Sequence, residues 1–372
     1  MQHPSAYSQD SGWFAAHMPG EGACRLAERA LPRLLARGSL MLEFSLMRGE
    51  TNILPLLHLS TREDWPRFLS LSFTEDGHIA LVQRQGQEFH ALSIDASADI
   101  AAGGQMRLTW SWDGPNRQSL LTLEALNRGT LRQRAGRAPL PMPLADLKAL
   151  ATGTGTARIG PRVDWLAMGD HVQPAGPGAC FAPSTPIETP NGTRPAGSLQ
   201  AGDVVETVDA GPQEVLWSGR VSLPSLGSLR PVRLCAPNFG ETQNLWLMPY
   251  HRVVVGGPAI EYTFGKNEVL AEARHLVDGC TALQPERPNV LSWHGILLAG
   301  HHLLIADGCQ IESLAIGGLA QQTALARTTA LAALAEDGTL PRHKTTPRRI
   351  IRGYEVTTLG AVRALNRGPV AA

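Results

Sequence analysis

Along the first half of the chain apolar residues recur at every second position. Leu42, Phe44 and Leu46 share one face of an extended segment, and Leu69, Leu71 and Phe73 share one face of another. Leu108, Trp110 and Trp112 repeat the pattern, as do Leu121 with Leu123 and Val163 with Trp165. Turn-forming clusters stand between them: Glu75-Asp76-Gly77, Gly103-Gly104 and Asp113-Gly114-Pro115-Asn116. One helical turn is predicted over 143–150, and residues 26–36 form a short helix or strand lead-in. The period-two grammar predicts a β-sandwich over 35–172, preceded by a leader over 1–34 that is loose over 1–25.

The pattern breaks at QPAGPGA, residues 173–179, a Pro/Gly linker. Short strands follow, predicted at 186–189, 204–208, 213–221, 229–234, 245–247, 252–255, 289–297 and 303–306. Asn191-Gly192 marks a tight hairpin. These make a second all-β unit over 180–318. An Ala/Leu-rich stretch over 319–336 is predicted helical. A basic run (Arg342, Lys344, Arg348, Arg349, Arg352) follows it in a tail over 319–372, whose segment 354–366 fits strand or helix. The fold class expected is therefore mostly β: a sandwich, a second all-β unit and a short helical, basic tail.

The 372 residues fit two or three domains. With 43% hydrophobic and 18% charged residues, the chain has material for ordinary cores. Lys+Arg and Asp+Glu both number 33, so no general polyanion-binding role is supported and no nucleic-acid partner is expected. No apolar run reaches the roughly 18 residues of a membrane-spanning helix, and the polar start lacks the layout of a secretory signal. The expected location is cytoplasmic, or outside the cell by a signal-independent route. The five cysteines (Cys24, Cys180, Cys235, Cys280, Cys309) are odd in number and contain no CxxC. Mostly buried thiols, one of them active, are expected rather than disulfides; no metal or cofactor is expected.

Cys180 stands apart because it opens the second unit directly after the linker. A thiol there can attack its own preceding carbonyl, at Ala179, through a five-membered ring, an N-to-S acyl shift that makes a thioester. Amides are poor electrophiles, so a histidine must protonate the leaving amine and donors must steady the oxyanion.

The segment from Cys180 resembles the Hint (hedgehog/intein) family. The carrying residues are Cys180-Phe181 with Thr185, Ile187 and Thr189, then Asn191-Gly192 and Gly202-Asp203-Val204-Val205. Pro231-Val232-Arg233, Leu247 to Arg252, Ala273 to Val277, His301 to Gly308 and Glu312-Ser313 continue in the family's order. The resemblance, nearest to a bacterial Hint class, implies a horseshoe-like all-β fold over 180–318. It implies Cys180 as nucleophile, His251 as the proton donor at the scissile amide, Thr185 as an orienter beside the nucleophile, and His301 as a second acid/base or orienter. Asp203 falls in the family's Gly-Asp turn, and His275, His294 and Cys309 read as structural. Met248 stands where intein-like chains carry a hydroxyl three positions before the histidine. The loss of such a donor slows acyl shift by about 10²–10³-fold. Ala196-Gly197-Ser198-Leu199 lacks the acid of related chains. No terminal His-Asn pair with a following nucleophile exists, so splicing is excluded. The first unit, through QMRLTWSWDG, QSLLTLE and VDWLAMGD, resembles concanavalin A-like and laminin-G-like jelly rolls.

The function expected is single-turnover self-cleavage at Ala179–Cys180, with the chain's own backbone as substrate. The thioester is then resolved by water or another nucleophile. The alternative is a surface protein whose sandwich binds a glycan or cell-surface ligand beside a decayed Hint unit. A turnover cysteine peptidase and a zinc site are weaker readings. The former wants its cysteine at a helix start, and the latter lacks ligand spacing.

Overall fold

The computed structural model describes residues 12–49, 52–62, 65–153, 155–176, 178–286 and 289–358. The chain is mostly β and divides into two compact units, residues 1–173 with 288–290, and residues 174–287 with 291–372.

In the first unit a seven-stranded antiparallel sheet faces a five-stranded one. The larger sheet orders Thr130–Arg137, Gln118–Ala125, Gly104–Asp113, Arg37–Leu46, Val163–Gly169, Trp13–Met18 and Gly22–Arg25 in space. The smaller orders Ala157–Ile159, Leu54–Thr61, Arg67–Phe73, His78–Gln85 and Glu88–Asp95. Leu42, Phe44, Leu108, Trp110, Leu121 and Leu123 from one sheet meet Leu57, Leu69, Leu71, Phe73, Leu81 and Ile94 from the other in one core. The alternation builds this core because successive side chains of a strand point to opposite faces. Trp110 and Trp112 are fully buried. Their indole N–H groups donate to Ser119 Oγ at 2.9 Å and to the Leu35 carbonyl at 3.1 Å, so both rings are packing elements.

Two details differ from the sequence expectation. The leader is not loose over its described length: Trp13–Met18 pairs with Val163–Gly169, and Trp13 and Phe14 are buried. Residues 1–11 lie outside the described residues. Val163 and Trp165 do not share a face, because the register shifts between them. That bulge sends Val163, Leu166 and Met168 to the core, while Trp165 donates to Glu43 at 3.0 Å. The predicted helical turn forms as Leu144–Thr152. It is fastened by a two-pronged ion pair from Arg67 to Asp146, at 2.9 and 3.0 Å.

In the second unit one sheet orders Glu268–Glu272, Arg252–Gly256, Cys309–Glu312, Leu303–Ala306, Val204–Thr207, Gly211–Pro224 and Val290–Leu298. The hairpin Pro186–Thr189 with Gly192–Pro195 joins it at Leu303–Ala306, and Leu245–Leu247, Val232–Leu234 and Ala282–Leu283 form a smaller sheet. The hairpin loop is Pro190-Asn191, because Thr189 pairs with Gly192, whose φ of 99° opens the return strand. A short helix, Pro258–Phe264, and the strand Glu268–Glu272 have no counterpart in the sequence expectation.

The 319–336 stretch is not one helix. It breaks into Leu319–Gln321, Thr323–Ala326 and Ala332–Glu336. The Thr328 and Thr329 hydroxyls donate to the carbonyls of Leu325 and Ala326, at 2.8 and 2.7 Å, and Leu331 N–H returns to Thr329 Oγ1. Such local side-chain bonds compete with the helical ladder. The pieces pack Leu319, Ala326 and Leu331 against Leu297 and Leu314, while Ile351 and Val356 join the core of the second unit. The end of the 354–366 segment, from residue 359, lies outside the described residues. Of the four other cysteines only Cys309 is a core residue; Cys24 and Cys235 are half-buried and Cys280 is exposed.

Candidate active site

The backbone around Cys180 is pinned on two sides. Cys180 and Phe181 N–H both donate to the His294 carbonyl, at 2.7 and 3.1 Å, and His294 N–H returns to Phe181 O at 2.8 Å. On the other side Met248 N–H donates to Cys180 O at 2.7 Å, and Ala182 N–H to Trp246 O at 3.0 Å. Phe181 thus bridges Leu245–Leu247 and Val290–Leu298 and is itself buried. Ala179 is buried as well. Opposite it stands Gly295, where a Cβ would lie 3.2 Å from Ala179 Cα and 3.2 Å from the Trp217 ring, closer than most side chains tolerate. The Cys180 thiol donates to the Gly178 carbonyl at 3.1 Å, so the sulfur is turned back toward the residues preceding the 179–180 bond.

His251 follows a turn in which its N–H donates to Met248 O at 3.0 Å. The same Met248 holds Cys180 O, so the histidine loop and the nucleophile are coupled through one residue. The His251 ring meets Phe181 edge-on at 5.7 Å, and neither of its buried nitrogens makes a hydrogen bond within the protein. Burial pulls its pKa down to about 4; Glu312 opposes this and Arg252 and His301 add to it. The ring is therefore neutral at pH 7. Burial also pushes the Cys180 thiol up to about 12, with Glu312 pushing further and Arg252 pulling back.

Those shared neighbours define the site. The register Val253↔Ile311 puts Arg252 opposite Glu312, and their side chains bond at 3.0 Å. Glu312 is buried and also accepts from His301 Nε2 at 3.0 Å. Cys180, His251 and His301 thus share one half-buried Arg–Glu pair: His301 bonds to it, and its charges act on Cys180 and His251. Thr185 differs. Its N–H donates to Ala182 O at 3.0 Å and its carbonyl accepts from Ala196 N–H at 2.8 Å, so it is held through its backbone. Its buried Oγ1 makes no hydrogen bond within the protein and remains a free donor. Asp203 accepts from Gln200 N–H at 2.8 Å and pairs with Arg194 at 3.0 Å, the work of a turn former.

Sequence reasoning placed Arg252 and Glu312 in the family pattern without giving them a role. The signal was present: Glu312 is a carboxylate between Ile311 and Leu314, on a strand whose neighbours are core. A charge kept in such a place wants a partner. Among the described residues no group of three or more His, Cys, Asp and Glu is arranged to hold a metal ion, and no helix is long and apolar enough to cross a membrane.

Residues 179–318 match the family model of the Hint domain, a span that opens on the Ala179–Cys180 pair and ends beyond Glu312. Among solved structures the chain is similar to the CBM40 of Ruminococcus gnavus IT-sialidase. The two are 15% identical, covering 37% of this chain and 77% of that one, with a TM-score of 0.27. It is similar to the LG1-3 region of the laminin alpha2 chain at 13% identity, covering 81% of this chain and 56% of that one, with a TM-score of 0.26. The leech intramolecular trans-sialidase is 12% identical over 43% of this chain and 28% of its own, with a TM-score of 0.26. No curated protein matches the chain.

Proposed function

We propose that the second unit cleaves its own chain once, at Ala179–Cys180. Cys180 Sγ bonds to the carbonyl carbon of Ala179, the bond from that carbon to Cys180 N breaks, and the thiol proton ends on the freed α-amine. Water, or another nucleophile, then opens the thioester; with water the products are an Ala179 carboxylate and a Cys180 thiol. The observation that carries this reading is a neutral imidazole with both nitrogens unbonded, coupled through Met248 to the residue that bears the thiol. A thiol held protonated needs such a base as it attacks, and the resulting imidazolium is the acid the leaving amine requires. The match of 179–318 to the Hint domain supports the same reading. Thr185 Oγ1 is the donor we assign to the site in place of the side chain that Met248 does not supply.

Hydroxylamine tests it. The thioester is trapped as a hydroxamate at Ala179, read from the mass of the released N-terminal fragment, and Cys180→Ala gives none. Equal release from Cys180→Ala removes the thiol from the mechanism. Replacing His251 by Gln slows release by about 10²–10⁴-fold.

A further inference from the structure

The Hint match ends at residue 318, yet the site continues beyond it. His343, from the C-terminal segment, lies flat on His301: the rings are 5.7 Å apart and 14° from parallel. Both His343 nitrogens are committed. Ile316 N–H donates to Nδ1 at 3.4 Å, so Nδ1 is the acceptor and Nε2–H donates to the Leu298 carbonyl at 3.2 Å. That pattern belongs to a neutral ring in one fixed orientation. Burial holds the His343 pKa below its ordinary value, with His301 and His302 adding to the effect. His301 in turn aims Nε2 at Glu312, whose other partner is Arg252. A line of contacts therefore runs from the tail to the charges that set Cys180 and His251.

The same segment reaches the other side of the scissile bond. Ala175 N–H donates to Thr328 O at 2.9 Å, and a Cβ on Gly176 would stand 3.1 Å from Thr329 Cγ2. The break in the predicted helix at Thr328-Thr329 is thus where the chain before Ala179 is held.

We propose that the segment beyond residue 318 is a working part of the cleavage site, with His343 as a positioning residue that keeps His301 in plane against Glu312. This rests on the self-cleavage reading. A second-layer contact that fixes a ring by its face and both nitrogens sets the aim of the ring it supports, and small errors of aim cost about 10²-fold in well-oriented reactions.

Because the tail contributes core residues, point variants of the full chain are the right test. Cleavage with DTT is followed against pH for wild type, His343→Ala and His343→Phe, with thermal melting alongside. His343→Ala is expected to slow cleavage by about tenfold to a hundredfold and to displace the pH profile. His343→Phe keeps a flat ring on His301 and is expected to recover most of the rate. A readout independent of cleavage is the downfield Nε2–H proton resonance of the His301–Glu312 hydrogen bond in Cys180→Ala, recorded at one fixed pH. Adding His343→Ala should broaden it to loss, and His343→Phe should keep it. The proposal is overturned if that resonance is unchanged in His343→Ala. It is equally overturned if wild type cleaves while His343→Ala keeps its rate and profile, or if both His343 variants slow alike with an unmoved profile and a lowered melting point. A wild type that never cleaves is a failure of the self-cleavage reading alone, and the His301–Glu312 resonance still decides this one.

Discussion

His251 and Cys180 are both held in their neutral forms, and each consequence has a sign. A histidine whose pKa falls from 6.5 to about 4 on folding is protonated first in the unfolded chain as pH drops. The stability it contributes is complete above pH 6.5 and is lost between 6.5 and 4, worth about 3 kcal/mol at full extent. Urea unfolding of Cys180→Ala between pH 7 and 4 should show this fall, and the His251→Gln variant should flatten it. Cleavage should likewise show no break near pH 6.5, because His251 is already neutral there. Cys180, His251 and His301 were legible in the sequence from a domain junction and an ordered motif set. Glu312 was not singled out, since its partners lie at residues 252 and 301 and only sheet register brings them together.

At the scale of elements, the paired strands Arg252–Gly256 and Cys309–Glu312 carry opposite charges to the same point. Glu312 raises the Cys180 pKa and Arg252 lowers it. Glu312→Gln should therefore speed alkylation of Cys180 by iodoacetamide while slowing cleavage, because His301 loses its carboxylate. Arg252→Gln should slow alkylation. Peptide-resolved mass spectrometry separates Cys180 from the exposed Cys280, and changes of the same sign in both variants would refute the electrostatic account. In the sandwich, Arg67 and Asp146 tie a strand to the helix Leu144–Thr152 with side chains 7% exposed on each partner. Asp146→Ala takes the carboxylate from a buried guanidinium and should cost about 3–5 kcal/mol in urea unfolding; the double change Arg67→Met with Asp146→Leu should recover most of it. Strands were the legible elements, because period-two burial is written in the residues themselves. The bulge at Val163–Trp165 and the broken 319–336 helix were not. One depends on cross-strand register, the other on two threonine hydroxyls choosing local carbonyls.

On the scale of the whole chain, the turn-forming clusters belong to two mostly β units of different design. The sandwich buries Trp110 and Trp112 as packing, and the second unit buries Ala179 and half-buries Cys180, the two residues on which the proposed chemistry acts. The C-terminal segment is bound into the second unit through Ile351, Val356 and the cluster around Leu331. The role proposed for it at the site was hidden in the sequence, because His343 sits within the basic run of the tail and no motif marks it. The proposed function turns on whether the Ala179–Cys180 bond breaks by the chain's own thiol. Intact mass followed over time, with and without DTT, tests it most directly. The expected result is an N-terminal fragment ending at Ala179, a C-terminal fragment starting at Cys180, faster appearance with DTT, and none from Cys180→Ala. A wild-type chain that stays whole under DTT, or a Cys180→Ala chain that cleaves as fast, contradicts the account.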